Sequence, residues 1–375
     1  MDAATAGLSA LATLAVLGTI PLFSVLAGDA SERTNWRRVS VVAAVGALVA
    51  VIAVTVGPVP SSLIAPVLAL GALFAVIATP LPGGVARREV AAYEVVPYEL
   101  ARRQFTQWRP IAFAAIATAA VFVPVVLPVF GPIFDPFGNQ LGVVDLGGAV
   151  PGLVAAGATS VGATLLGRTG AARDTNAGGW RMILLALLLW ALSVVWLLGI
   201  ELAIDASTPI ILTSGLVMPA AGAAAAALVE RLRHRRNTAT GLVTGILAGL
   251  AAATSTCAFV TLPLGVLIGL VAGAVCAIFP LRTTRRPLLA SASGTLLVGG
   301  GIGAVLLGAF ATHLGFIYTG QPELVFGQLL IVVIALGLGL LVGAVLARVL
   351  RVSAPQHPCE PRPGSHPVPD VGVSA

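Results

Sequence analysis

Apolar stretches about as long as a bilayer is thick recur down the whole chain, and arginine is confined to every second gap between them. A hydrocarbon core about 30 Å thick needs roughly 20 helical residues to cross it, and inside it the backbone must satisfy its own polar groups, so each stretch reads as a transmembrane helix. Eleven spans result, at about 8–27, 39–56, 62–79, 111–130, 145–167, 182–203, 209–228, 240–256, 264–281, 288–310 and 324–350. Composition agrees: the 375 residues are 58% hydrophobic and 10% charged, with a mean hydropathy of +1.01, far from a soluble globular domain.

The arginines test that count. There is no lysine, so all 21 basic residues are arginine, and they fall after spans 1, 3, 5, 7 and 9 and from the end of span 11 onward. A single missed or invented helix would break the alternation. Basic residues stay on the cytoplasmic side during insertion, which predicts an N-terminus outside and a C-terminus in the cytoplasm. The formal charge of +6 therefore concerns orientation in a cytoplasmic membrane, and no nucleic-acid partner is implied. The opening "MDAATAG" carries an acid where a secretory signal has a positive region, so span 1 is expected to be retained. The three cysteines have neither metal-ligand spacing nor a disulfide pattern and are read as packing residues.

"GATLLG" at 162–167 is echoed by "GAVLLG" at 303–308, on spans threaded in opposite directions. The echo suggests a membrane domain over 1–351 built from two five-helix inverted repeats, about 8–167 and 182–310, with a last helix at 324–350. Such repeats commonly hold a substrate path at their interface. Small residues crowd spans 5, 7, 8 and 10, which should be central, because small side chains let helix backbones approach closely in lipid. Spans 4 and 11, bulkier and more aliphatic, should face lipid. The cytoplasmic segment 81–110, with Tyr93, Tyr98 and Trp108 among acids and arginines, reads as an interfacial stretch or a docking loop, and the Pro-rich tail 352–375 as disordered.

Ionisable groups at membrane depth are costly and mark function when present, and here they are scarce. The four histidines (His234, His313, His357 and His366) fall in loops or the tail, and the acids nearest the spans (Asp145, Glu201 and Asp205) sit at the outer ends of spans 5 and 6. No nucleophile–base arrangement and no metal-ligand spacing lies within the spans. The sequence therefore predicts neither an enzyme nor a cofactor. Asp145 stands where span 5 begins, so its carboxylate is expected to accept from free N–H groups of the first turn, a role in which Asn serves nearly as well.

"DLGGAV" at 145–150, followed by a small-residue helix ending "GATLLG", resembles the fifth helix of the ammonium transporter (Amt/Mep/Rh) family. "TIPLFSVLAGDASERTN" (19–35) looks like the end of that family's first helix and its loop, and 241–281 resembles its eighth and ninth helices. The resemblance covers most of the chain. It implies an all-α polytopic fold of eleven helices, a homotrimer with one path through each subunit, and passage of ammonium, ammonia or a similar small solute. Aligned on "GATLLG", the family's first pore histidine falls at Gly152; the echoing repeat puts the second at Ser293, or at Leu296 if the later glycines set the register. Counting from Trp196, the family's aromatic gate falls at Gly199 or Ile200, and "RTTRRP" at 282–287 replaces an acidic stretch. Phe130 matches an external-mouth aromatic, near which the family's Asp, here Asp145, would stabilise an arriving cation through charge and the ring face. The expected substrate pathway is thus Phe130, Asp145, Gly152, Trp196, Ile200 and Ser293, without a histidine relay. The alternatives are a channel for another small neutral solute and a non-conducting sensor or structural protein on the same fold.

Overall fold

The computed structural model describes residues 3–27, 36–57, 59–79, 108–130, 143–166, 179–279, 282–283, 286–287 and 292–350. Nearly all of the 81–110 segment, the 352–375 tail and the loop between Phe130 and Asp145 lie outside the described residues. The first helices are α1 (Ala3–Ala27), α2 (Trp36–Val56), α3 (Ile64–Ala78, entered through the 3-10 turn Ser61–Leu63) and α4 (Trp108–Phe130). α5 comprises Val150–Val154 and Ala155–Leu166, and α6 is Gly179–Ile200. Then come α7 (Thr208–His234), α8 (Ala239–Thr256), α9 (Leu262–Ile278), α10 (Ala292–Phe310) and α11 (Glu323–Val349). Each coincides with one of the spans read from hydropathy. Among the described residues nine helical segments are long and apolar enough to cross a membrane, and two shorter apolar helices, Val150–Leu165 and Leu262–Ile278, occupy the fifth and ninth places. Two-residue strands, Arg282–Thr283 and Arg286–Pro287, pair antiparallel between α9 and α10.

Cross-helix hydrogen bonds join helix ends that the arginine alternation puts together. At one end the Ser9 hydroxyl donates to the Ser62 carbonyl (2.6 Å), Thr312 N–H to the Phe259 carbonyl (2.6 Å), and the Gln328 amide to the Val144 carbonyl (2.6 Å). At the other, Arg233 Nη1 donates to the Ile278 carbonyl (2.7 Å).

Two helices leave regular α geometry. In α4 the N–H of Val123 bonds the Thr118 carbonyl five residues back, so Thr118–Phe122 is a π turn. Pro124 follows directly, and the wider turn relieves the clash its ring would make with a carbonyl four residues earlier. In α5 the N–H of Ala155 bonds Val150 in the same way around Pro151, which has no N–H to give.

Without a hydrophobic drive between helices in lipid, close packing must hold the bundle, and it does so through small residues. A Cβ on Gly222 of α7 would stand 3.1 Å from Gly249 Cα of α8, and one on Gly273 of α9 would stand 2.6 Å from Gly222 Cα, so three backbones meet at one level. Among the nine long helices α8 is the most enclosed, with 72% of its most apolar stretch buried, and α11 the least at 28%; both follow the pattern of small and bulky residues. α4 does not. Half of its window is buried, the same share as for α7, because Phe113, Phe122 and Val125 pack in the core and α4 lies against α2, α3 and α11. Its bulky side chains fill interior space, with the Phe122 ring tilted 47° to Phe74 at 5.4 Å between centroids.

Candidate functional site: an apolar cavity beneath a capped helix start

Residues 143–148 lead into α5 and are tied to three helices. Gln328 of α11 donates to Val144 O, Gly147 N–H donates to Thr254 O of α8 (2.9 Å), and Trp196 Nε1 of α6 donates to Gly147 O (3.2 Å). Gln328 is fully buried, and its Oε1 has no hydrogen-bond partner among the described residues. Asp145, 7% exposed, accepts from Ala149 N–H at Oδ1 (2.8 Å) and from Val150 N–H at Oδ2 (2.7 Å). Gly148, at φ +69°, turns the chain between them, in a conformation that costs a residue with a Cβ. A Cβ there would also meet Leu70 Cδ2 at 2.5 Å and the Phe130 ring at 3.1 Å.

The cap is therefore two-handed. Both carboxylate oxygens act as acceptors, whereas an asparagine would place an NH2 donor against one of the two N–H groups. This revises the expectation that Asn serves nearly as well as Asp.

Beneath this segment lies a cavity of about 50 Å³, room for a few water-sized molecules, enclosed by α1, α3, α5, α6, α8 and α10. Leu70, Leu153 and Leu296 form part of its wall, together with Phe23 and Trp196. Thr19, Ser193, Thr254, Trp196 and Gly147 are the lining residues that carry polar groups beside the apolar ones, and no ionisable side chain among the described residues lines it.

The structure distributes the residues read from sequence unevenly. Trp196 lines the cavity, and Asp145 and Phe130 stand above it around Gly147 and Gly148. Gly152 is buried but does not line it: a Cβ there would meet Leu70 Cδ1 at 2.5 Å, so Leu70 occupies the space its side chain would need. Ser293 is buried against α5, its carbonyl 2.5 Å from where a Cβ on Gly157 would stand, while Leu296, the alternative register, reaches the cavity. Gly199 packs on Ala12 of α1, and Ile200 is buried away from the cavity wall. The hydroxyls of Thr19, Ser193 and Thr254 were not placed on the path by the sequence, although Thr19 and Thr254 lie in stretches that carry the resemblance. Each is one polar residue in an apolar helix, and nothing in the sequence separates a lining hydroxyl from one turned to lipid.

Glu201 and Asp205 lie beyond the end of α6, where the Thr208 hydroxyl donates to Glu201 Oε2 (3.1 Å) and Ser207 N–H to Asp205 Oδ1 (2.7 Å). Burial raises the Glu201 carboxyl above its usual range, and the Ser207 bond holds Asp205 below its own. Among the described residues no group of three or more His, Cys, Asp or Glu side chains is placed to hold a metal.

Eleven apolar helical segments among the described residues, folded around a narrow cavity, define a polytopic membrane protein of the channel or transporter architecture. The chain belongs to the ammonium transporter family, whose model matches residues 98–355. Its fold is that of a solved sensor Amt protein (TM-score 0.72, 19% identity, 93% of this chain and 92% of that one). It is equally similar to Mep2 of Saccharomyces cerevisiae (0.72, 18%, 93% and 88%) and to Mep2 of Candida albicans (0.71, 18%, 95% and 87%). No curated protein matches the chain by sequence.

Proposed function

We propose that the protein is a membrane channel or transporter of the ammonium transporter type, passing ammonia or a similarly small solute through the central cavity without a histidine relay. One observation carries this reading: among the described residues the cavity has no ionisable side chain in its wall, and leucines of α3, α5 and α10 meet in it. A cation crossing such a wall would lose its hydration against apolar surface at a cost of several kcal/mol, whereas a neutral molecule would not. Ammonium would therefore leave its proton with the water outside before entering, and the ammonia would take one up from the water on the far side. Asp145 serves first as the cap of α5, and its charge contributes secondarily to drawing a cation toward Phe130.

Orientation follows the arginines, with the N-terminus outside and the C-terminus in the cytoplasm. A homotrimer with one path per subunit is the assembly that family membership supports, and native mass spectrometry from mild detergent tests it: a clean monomer or dimer removes it.

Stopped-flow measurement of internal alkalinisation in proteoliposomes exposed to ammonium salts tests the function. The expected result is a rate above that of protein-free vesicles, unchanged in His234→Ala and His313→Ala. A rate equal to the lipid background would favour the second reading, a non-conducting sensor or structural protein, which the smallness and leucine lining of the cavity also suit.

A further inference from the structure

The arginine-rich end of α7 carries more positive charge than the bundle uses. The helix has 27 residues, about 40 Å at 1.5 Å each, and so outruns a hydrocarbon core of about 30 Å. Its apolar part closes at Leu228 and Val229, which puts Glu230–His234 at the level of the lipid headgroups. Arg231, Arg233, Arg235 and Arg236 follow, all exposed, and Arg235, at φ +55°, ends the helix with its N–H on the Arg231 carbonyl (3.0 Å). The nearby acid is occupied. Glu230 accepts the Thr238 N–H at Oε2 (2.8 Å) and the Thr238 hydroxyl at Oε1 (2.8 Å), so its charge closes the turn into α8, and no other acidic residue occurs before Glu323. Arg233 is placed too, on the Ile278 carbonyl at the end of α9. Arg231, Arg235 and Arg236 have no ion-pair partner among the described residues. Beside them stand Leu228 and Leu232, 58% and 75% exposed, and the α9 end adds exposed Ile278 and Phe279 before running into the paired strands that bear Arg282 and Arg286.

We propose that this corner, where α7 and α9 end together, binds the phosphate of an anionic phospholipid, with Arg231, Arg235 and Arg236 on the headgroup and Leu232 and Phe279 beside the acyl chains. A guanidinium presents its N–H groups as a planar fork that matches a phosphate, and exposed apolar side chains next to it suit a molecule that joins phosphate to hydrocarbon. A free phosphate would use the first and leave the second bare. Each arginine near an anionic membrane surface strengthens the attraction by about fivefold, so three without a competing acid make a site where one would not. The corner is separate from the cavity. Only the choice of leaflet, the cytoplasmic one, rests on the orientation proposed above, and lipid binding is read whether or not the protein conducts.

Native mass spectrometry of the protein in a neutral detergent, titrated with phosphatidylglycerol or with phosphatidylcholine, tests the site. The wild type is expected to hold phosphatidylglycerol about tenfold or more tighter than phosphatidylcholine, and the Arg231→Gln/Arg235→Gln/Arg236→Gln variant to lose about tenfold or more of that affinity. Arg109→Gln/Arg348→Gln, which removes two arginines at the ends of α4 and α11, should bind as the wild type does. Equal affinity for the two lipids, no loss in the triple variant, or an equal loss in the Arg109→Gln/Arg348→Gln pair overturns the proposal, the last by showing general surface charge rather than a site. Should the triple variant fail to fold, Arg236→Gln alone, beyond the end of the helix, is expected to weaken phosphatidylglycerol by about threefold or more, and no change there overturns the proposal as well. Displacement of the lipid by inorganic phosphate or by polyglutamate, at an ionic strength where sodium chloride does not displace it, would give the arginines to a soluble anion and overturn the lipid assignment. A protein that binds the lipid as expected but shows no ammonia conduction keeps this site and loses the transport reading.

Discussion

The two sides of α8 solve opposite problems. Toward α7 it presents Gly245 and Gly249, and the backbones close until a single Cβ would collide; toward α1, α3 and α6 it presents Leu250 and Thr254, and a cavity stays open. Apolar side chains are equally at home against protein and against lipid, so burial alone cannot decide where a membrane bundle is tight. What decides is whether facing residues are small on both partners. On the seam side they are. On the cavity side leucines and a tryptophan prop the helices apart, and the hydroxyls among them satisfy themselves locally, so the space needs no side chain to fill it.

That contrast breaks first at the seam. Gly222→Leu drives a side chain into the backbone of α8, and overpacking that neighbouring side chains cannot relieve should cost about 3 kcal/mol or more. The expected outcome is loss of monodisperse protein in size-exclusion chromatography or a large drop in unfolding temperature, and a variant as stable as the wild type would deny the backbone contact. Asp145→Ala, at the boundary between the two regimes, strands two buried N–H groups and should lose about 2–4 kcal/mol; Asp145→Asn, which replaces one acceptor by a donor, should lose roughly half as much. Thermal unfolding of both in the same detergent checks the order, and an Asn variant equal to wild type would mean that one oxygen suffices. On the cavity side Leu296→Ala should cost only about 2 kcal/mol, the low end for a buried leucine, because it enlarges an existing space. The same variant should raise the ammonia rate in vesicles, and a loss as large as that of Gly222→Leu would erase the distinction between seam and cavity.

The smallest effect lies outside the bundle. Because the Glu201 carboxyl is raised, its folded state favours the protonated form, and its contribution is present below the usual carboxylate range and lost as pH rises through and above it. Asp205 is lowered and works in the opposite sense, gaining as pH rises through that range. Unfolding temperature between about pH 4 and 7 should therefore fall slightly with rising pH in the wild type relative to Glu201→Gln. Parallel curves would show that the Glu201 environment does not matter to the fold.

Helix existence was legible in the sequence because hydropathy records the length a helix needs to cross lipid, and the arginine alternation gave an independent count of the spans. The cavity wall was legible only in part. Alignment on "GATLLG" puts Gly152 on the path, whereas in the π turn at Val150–Val154 it is the next residue, Leu153, that reaches the cavity. In α10 no such irregularity intervenes. Gly299 and Gly303 lie against α8, and Leu296, one turn before them, follows onto the cavity, so the register set by the later glycines points to the lining residue and that of the echo to Ser293 does not. The lipid-facing reading of α4 failed for a related reason: bulk and apolarity describe a core residue and a lipid-facing residue equally well. The cap at Asp145 was foreseen, but not its use of both oxygens, which depends on the left-handed turn at Gly148.

The bond from Gln328 to Val144 spans 184 residues and ties the entrance of the fifth helix to the eleventh. The other two ties of the same segment come from α6 and α8, which also leave the ribosome after it. During synthesis the 143–148 segment must wait, its carbonyls unclaimed by these partners, until the end of the bundle has been inserted. The upper wall of the cavity is therefore among the last features to set, and a chain arrested before α11 would carry ten helices and an unfinished entrance. Insertion of α11 and the last bond of this segment are in this way one event.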